Sequence, residues 1–354
     1  MGRNLGILML VLTALVGLPA CGGSAAETPA PNPDAASDGD AGAVQDTQAV
    51  DSQGDAAVDV PGKATYETAD PKAVTVLNYN VMCSFCNNST HPEWNQAWSA
   101  RLPMTQDVIH RHDPDLLAIQ ELQELVPTDP TLTQAEQIVA PENLYDFEYY
   151  HHQPGDLFDA DYDDATVYWK KARFAKLATG VFWLSPTPDS SYTTGFAKVQ
   201  EPRLVVWVLL HDKVNDRDFY FANTHFDNNA PSQEKSAPLV LERLGKLAGA
   251  HPLIFAGDFN TDPTDKAWTI LTQGVDGKGF HFQDSKALAK TASVFSNVTP
   301  APIPFAQLED IDHVFLAGAT FQVPWWLTDL WRYGPQQQAP SDHNGAVVTS
   351  VLWQ

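Results

Sequence analysis

Short apolar runs recur along this chain, and most of them stop at a carboxylate, an amide or an imidazole. Residues 73–81 are rich in β-branched side chains and read as a strand carrying Asn78 and Asn80. A looser stretch then precedes a helix expected over about 95–112, and residues 115–121 form a second strand closing on Gln120-Glu121. Residues 125–165 show no regular alternation and read as irregular. Short strands are expected at 165–168 and 180–184. Residues 204–210 and 219–224 read as a hairpin turned at Asn215-Asp216, with His225 just beyond it. Ala237, Val240, Leu241, Leu244 and Leu247 repeat at helical spacing within 232–250, although Pro238 blurs the start. The apolar run 253–256 meets Gly257, whose backbone freedom suits a sharp exit from a sheet. Asp258 and Asn260 follow; side chains two apart in extended chain face the same way, so both are expected to converge on one spot. Asp262-Pro263 is expected to open a helix, and residues 311–316 and 345–352 to form the last strands. Strands interleaved with helices predict an α/β fold of mixed sheets under helical cover.

The first 70 residues do not fit that pattern. Residues 1–21 read as a signal peptide, with Arg3 ahead of an apolar stretch from Leu5 to Leu18 that is short for a membrane span. Its end, Leu18-Pro19-Ala20-Cys21-Gly22, resembles a bacterial lipobox, in which the Cys becomes the acylated first residue. A plain secretory signal with a stray Cys is the other reading, and both send the protein out of the cytoplasm. Residues 22–70 carry ten Asp or Glu against Lys63 alone and almost no large apolar side chain, so they read as a disordered acidic tether. Residues 71–354 remain as one domain, without an internal repeat or a composition break. The whole chain has a net charge of −23, which does not favour a long polyanionic partner unless divalent cations bridge the two. The chain has three Cys, and if Cys21 carries lipid, Cys83 and Cys86 remain as a pair in an oxidising compartment. A structural disulfide beside Asn80 is the favoured reading of that pair, with two free thiols as the alternative.

Polar residues stand where the strands stop: Asn80, Glu121, His225, Asp258 with Asn260, Asp312 with His313, and Asp342 with His343. A lone Asn or Asp after a strand is usually a turn former. Nine such residues at the ends of six apolar segments are harder to dismiss, because strands of shared sheets bring their ends together. Glu121, Asp342 and Asn80 offer oxygen ligands, which suit Mg²⁺ or Mn²⁺, or Ca²⁺, and no His- or Cys-rich set has zinc spacing. His343 beside Asp312 makes an imidazole oriented by a carboxylate, and His225 and Asn260 can donate to a charged oxygen while Asp258 activates a water. Together they describe metal-assisted attack on a phosphoester.

Asn78-Tyr79-Asn80-Val81, Gln120-Glu121, Thr224-His225-Phe226, Gly257-Asp258-Phe259-Asn260, Ile311-Asp312-His313-Val314 and Ser341-Asp342-His343 resemble, in order, the motifs of the endonuclease/exonuclease/phosphatase superfamily. The resemblance runs from about Val74 to the C-terminus, and it departs at His313, where many members have Tyr. It implies a four-layer α/β sandwich, two mixed β-sheets face to face with helices outside. It also implies that Glu121, Asn80 and Asp342 hold the metal and His225 contacts the phosphate. Asp258 would orient or deprotonate the nucleophile, Asn260 would support it, and Asp312 would pair with His343 as general base or phosphate-binding His.

Other features read more blandly. The acidic run 159–164 lacks the Gly and Glu of an EF-hand and reads as a solvated loop, a looser calcium site being the alternative. Trp325, Trp326, Trp331 and Tyr333 read as packing, or as walls of the cleft. Arg203 reads as a phosphate ligand or as a surface ion pair. The expectation is an exported, envelope-located, lipid-anchored monomer that hydrolyses a small phosphodiester. An exported nuclease is the first alternative, so nucleic acid is the less favoured partner, and a non-catalytic binding lipoprotein is the second.

Overall fold

Alternation along the strands sorts their side chains into three apolar layers. A computed structural model describes residues 70–86, 91–94, 96–123, 131–140, 142–158, 160–194, 196 and 201–354. The signal peptide, Cys21 and the tether up to residue 69 lie outside the described residues. The chain begins with β1 (Val74–Asn80), α1 (Trp98–His112), β2 (Leu116–Gln120), α2 (Gln134–Val139), β3 (Tyr145–Tyr150) and β4 (Tyr162–Lys170). It continues with β5 (Phe174–Trp183), β6 (Leu204–Asp212), β7 (Arg217–His225), α3 (Ala230–Ala248), β8 (Leu253–Asp258) and α4 (Lys266–Gln273). The short elements β9 (Gln283–Asp284), α5 (Ser285–Leu288) and β10 (Ala292–Phe295) lead to β11 (Asp312–Ala317), β12 (Phe321–Gln322), β13 (Trp326–Asp329) and β14 (Ala346–Trp353).

One eight-stranded sheet has the order β10-β13-β14-β1-β2-β4-β3, with β12 beside β14; a six-stranded sheet has the order β5-β6-β7-β8-β11-β9. Both are mixed, because β1–β2, β10–β13 and β7–β8 are parallel pairs among antiparallel ones. Between the sheets lie Val74, Val76, Leu116 and Ala118 of the first with Phe219, Phe221, Ile254, Ala256, Val314 and Leu316 of the second. The intervening side chains face outward. Leu77, Tyr79, Leu117 and Ile119 pack with Trp98, Val108, Ile109 and Ile138 of α1 and α2. Ala222, Leu253, Phe255 and Phe315 pack with Val240, Leu241, Leu244 and Leu271 of α3 and α4. Helix, sheet, sheet and helix follow one another, as the resemblance implied.

Several local expectations change. Residues 125–165 hold α2 and β3. A reciprocal cap starts α2, where Thr133 Oγ1 accepts from Glu136 N–H (3.1 Å) and Glu136 Oε2 from Thr133 N–H (2.9 Å). Asp262-Pro263 does not open a helix; Asp262 Oδ1 accepts from Thr264 N–H (2.6 Å), making a turn, and α4 starts at Lys266. Gly257 lies inside β8, not at an exit, and a Cβ there would run into the Thr224 carbonyl of the neighbouring strand. Its role is close strand approach.

Candidate active site

The alternation that fills the inter-sheet core with aliphatic side chains continues to the strand ends and there turns polar. After Val74 and Val76, β1 sends Asn78 and Asn80 inward; Gln120 follows Leu116 and Ala118 on β2. Likewise β7 delivers Asn223 and His225, β8 delivers Asp258, and the antiparallel β11 delivers Asp312 at the same mouth. Register makes this convergence exact in kind, since Asp258 is paired with both His225 and Asp312.

Asp258 Oδ2 is the hub. Asn80 Nδ2 donates to it at 3.0 Å, and the Nε2 atoms of His225 and His343 lie 3.4 and 3.5 Å away. Each imidazole is backed by a second carboxylate. His343 Nδ1 is 2.7 Å from Asp312 Oδ2, and His225 Nδ1 is 3.0 Å from Asp164 Oδ1. Asp164 also accepts from Arg203 Nη1 (2.8 Å), which lies 2.6 Å from His225 Nδ1 as well. A buried amide chain supports the other side: Gln120 Nε2 donates to Asn223 (2.7 Å) and Asn78 (2.9 Å), and Asn78 Nδ2 donates to the Gly257 carbonyl (3.0 Å).

These contacts set the electrostatics. Burial pushes the Asp258 carboxyl up, but the two imidazoles outweigh it and hold its pKa below the usual carboxylate range. Burial pulls the His343 imidazole down, and Asp312 and Asp258 more than reverse that, leaving it well above the usual value. His225 is likewise raised: burial and Arg203 lower it, while Asp164 and Asp258 dominate. Burial raises Asp164, yet His225 and Arg203 bring it far below its ordinary value. The centre is a carboxylate of lowered pKa between two imidazoles of raised pKa.

Glu121 and Asp342 form the other flank. Glu121 takes a left-handed backbone (φ 65°) that few non-Gly residues adopt, and its N–H is held by the Asp164 side chain at 3.0 Å. Its Oε2 accepts from Cys83 N–H at 2.7 Å. Asp342 reaches solvent, but the surrounding protein strips part of its hydration, and with the Glu121 charge this raises its pKa. His343 offsets part of the Asp342 charge, and two carboxylates with lone pairs left suit a hard divalent cation. Asp258, Asp312 and His343 are a second such group, each with a ligand atom within 4.8 Å of the others. Cys83 and Cys86 are joined in a disulfide, as favoured above, so their sulfurs are not thiolate ligands.

Asn80, expected as an oxygen ligand, accepts from Met82 N–H through Oδ1 (2.9 Å), which leaves that oxygen a second lone pair, while its Nδ2 bridges Glu121 (2.9 Å) and Asp258. It is a link between the two flanks. Asn260 does not face Asp258 in extended chain: φ is 47°, its Nδ2 donates to the Phe226 carbonyl (3.1 Å), and its N–H caps Asp258 Oδ1 (2.8 Å). Asp164, read as part of a solvated acidic loop, is the carboxylate that orients His225. Being the last charge of an acidic run, it carried no local signal. His313 alternates to the outer face of β11, between Asp284 and the Thr261 carbonyl, outside the site. Trp325 packs on the outer face of the first sheet, Trp326 packs between the sheets, Trp331 stacks on Arg111 at 4.3 Å, and Tyr333 O–H donates to Asp107, so all four aromatic residues pack.

Residues 77–343 match the profile of the Endonuclease/Exonuclease/phosphatase family. The chain belongs to that family. An uncharacterised protein of Acanthamoeba polyphaga mimivirus is 28% identical over 191 residues, 53% of this chain and 67% of that one. The crystal structure of a family member from Bacteroides vulgatus superimposes with a TM-score of 0.63 at 21% identity, over 80% of this chain and 99% of that one. A mannosyl-6-phosphatase of Bacteroides thetaiotaomicron gives 0.62 at 24% identity, over 79% and 100%. At these identities the solved family structures establish the sandwich.

Proposed function

We propose that the protein is an exported, lipid-anchored, divalent-metal-dependent phosphoesterase that hydrolyses a small phosphodiester, lipid- or nucleotide-derived. The observation that carries this reading is the Asp258 carboxylate set between two imidazoles, each held by its own carboxylate, with Glu121 and Asp342 alongside. A bound Mg²⁺ or Mn²⁺ would supply charge neutralisation at a phosphoryl oxygen. Glu121 and Asp342 would hold it, and Asn80 would keep Glu121 and Asp258 in fixed relation. Asp258 Oδ2 orients the attacking water and takes its proton as the phosphorus–oxygen bond to the leaving group breaks. The Nε2–H groups of His225 and His343 donate to phosphoryl oxygens, where their charge stabilises the transition state. Between the two roles offered for His343, phosphate binding agrees better with its raised pKa than that of general base.

The test is a panel of bis(p-nitrophenyl) phosphate, p-nitrophenyl phosphate, plasmid DNA and phospholipid, with Mg²⁺, Mn²⁺ or Ca²⁺. Metal-dependent release from the diester is expected, abolished by EDTA. DNA cleavage with no small-diester turnover would favour the nuclease, and no turnover on any substrate would favour a binding protein.

A further inference from the structure

Arg101 is fully buried in the first turn of α1, a placement that costs free energy unless the charge is well matched. Its partners are four backbone carbonyls: Nε donates to Gln96 (3.0 Å), Nη1 to Val81 and to Pro340 (3.1 Å), and Nη2 to Cys83 (2.9 Å). The Trp98 ring covers the guanidinium at 5.3 Å. Three of them, those of Val81, Cys83 and Pro340, belong to the two segments that build the metal flank. Val81 to Cys83 continues from Asn80, and Cys83 N–H grips Glu121 Oε2. Pro340 leads into Ser341-Asp342, and Ser341 Oγ donates back to the Asn80 carbonyl at 2.7 Å. A planar fork can hold several acceptors at fixed angles, which an ammonium group cannot.

We propose that Arg101 is a positioning residue whose fork locks the arm that grips Glu121 to the arm carrying Asp342, so that the cation-binding arrangement exists before any cation arrives. This rests on the phosphoesterase reading, in which those two carboxylates take the metal. The charge of Arg101 acts in the opposite sense, since it repels an incoming divalent cation. The two effects can therefore be told apart. Lysine keeps the charge and loses the fork; methionine loses both.

Mg²⁺ is titrated calorimetrically into the metal-free full chain, with circular dichroism and metal-free Tm recorded for each variant. Arg101→Lys should remain folded and bind Mg²⁺ about 10–100-fold more weakly than wild type, the usual effect of removing a group that orients metal ligands. Affinity of Arg101→Lys within about threefold of wild type, or tighter binding by Arg101→Met, would overturn the inference. Cys86→Ser serves if the Arg101 variants do not fold, because it opens the same loop covalently and leaves the fork in place. Its Mg²⁺ affinity should stay within about threefold of wild type; a loss of about tenfold or more would assign the positioning to the disulfide instead. If wild type takes up neither Mg²⁺ nor Mn²⁺, the phosphoesterase reading and this inference fall together. If wild type binds and Arg101→Lys binds equally well, only the inference falls.

Discussion

Asp258 collects three polar contacts on one oxygen because β1, β7 and the segment after β13 each end beside β8. Asp258→Asn keeps the shape but loses the charge that faces both imidazoles, so kcat should fall about 10²–10⁴-fold with an unchanged fold by circular dichroism. His225→Ala should do the same, and full activity in either variant would remove the site assignment. Asp164→Asn is the sharper case. Its amide still reaches His225 Nδ1 but no longer offsets Arg203, so kcat should drop roughly 10–100-fold while substrate KM changes little. Wild-type kcat in that variant would return Asp164 to the role of a loop residue. The strand-end positions were legible in the sequence because each borders its own apolar run. Asp164 was not, because what marks it is a contact with a residue 61 positions away.

At the scale of elements, both long helices and most strands were legible in the sequence, but β4 and β5 were expected only as 165–168 and 180–184 and run over Tyr162–Lys170 and Phe174–Trp183. What escaped are the six residues of α2, too few to show a period, and the edge strand β3, although Tyr145-Asp146-Phe147-Glu148-Tyr149 alternates with the period of a strand. The β6–β7 hairpin shows how an element end can carry stability. Asp212 is buried there and accepts from Arg173 (2.9 Å), Asn215 Nδ2 (2.7 Å) and Val214 N–H (2.9 Å). Burial raises its carboxyl, but these bonds outweigh it, and its pKa lies below the ordinary value. A depressed carboxylate contributes stability above its unfolded pKa of about 3.9, and that contribution is lost as pH falls below it toward the folded value. Thermal unfolding between pH 7 and 2 should therefore show Asp212→Asn less stable than wild type at neutral pH. The two curves should converge in acid; parallel curves would contradict this account.

For the whole molecule, the catalytic mouth is the polar end of the inter-sheet seam. The amide chain Asn223–Gln120–Asn78 crosses it where the aliphatic core stops. The proposed export and anchoring rest on the first residues alone: if the proposal holds, Cys21→Ser should move the protein from the membrane fraction to the soluble fraction of its host, and retention in the membrane would refute the anchor. The sequence by itself determined the class of fold, the strand-end polar residues and the phosphoester chemistry they suit, because alternation and end polarity are local properties of short runs. Only the tertiary structure decided which carboxylate serves which imidazole, that Asn80 bridges Glu121 and Asp258, and why position 257 must be glycine. Those outcomes depend on side chains as far apart as Asn80 and Asp258, 178 positions along the chain, meeting across two sheets. No local pattern encodes the rotamers and strand spacing at that meeting, which only the packed sheets impose.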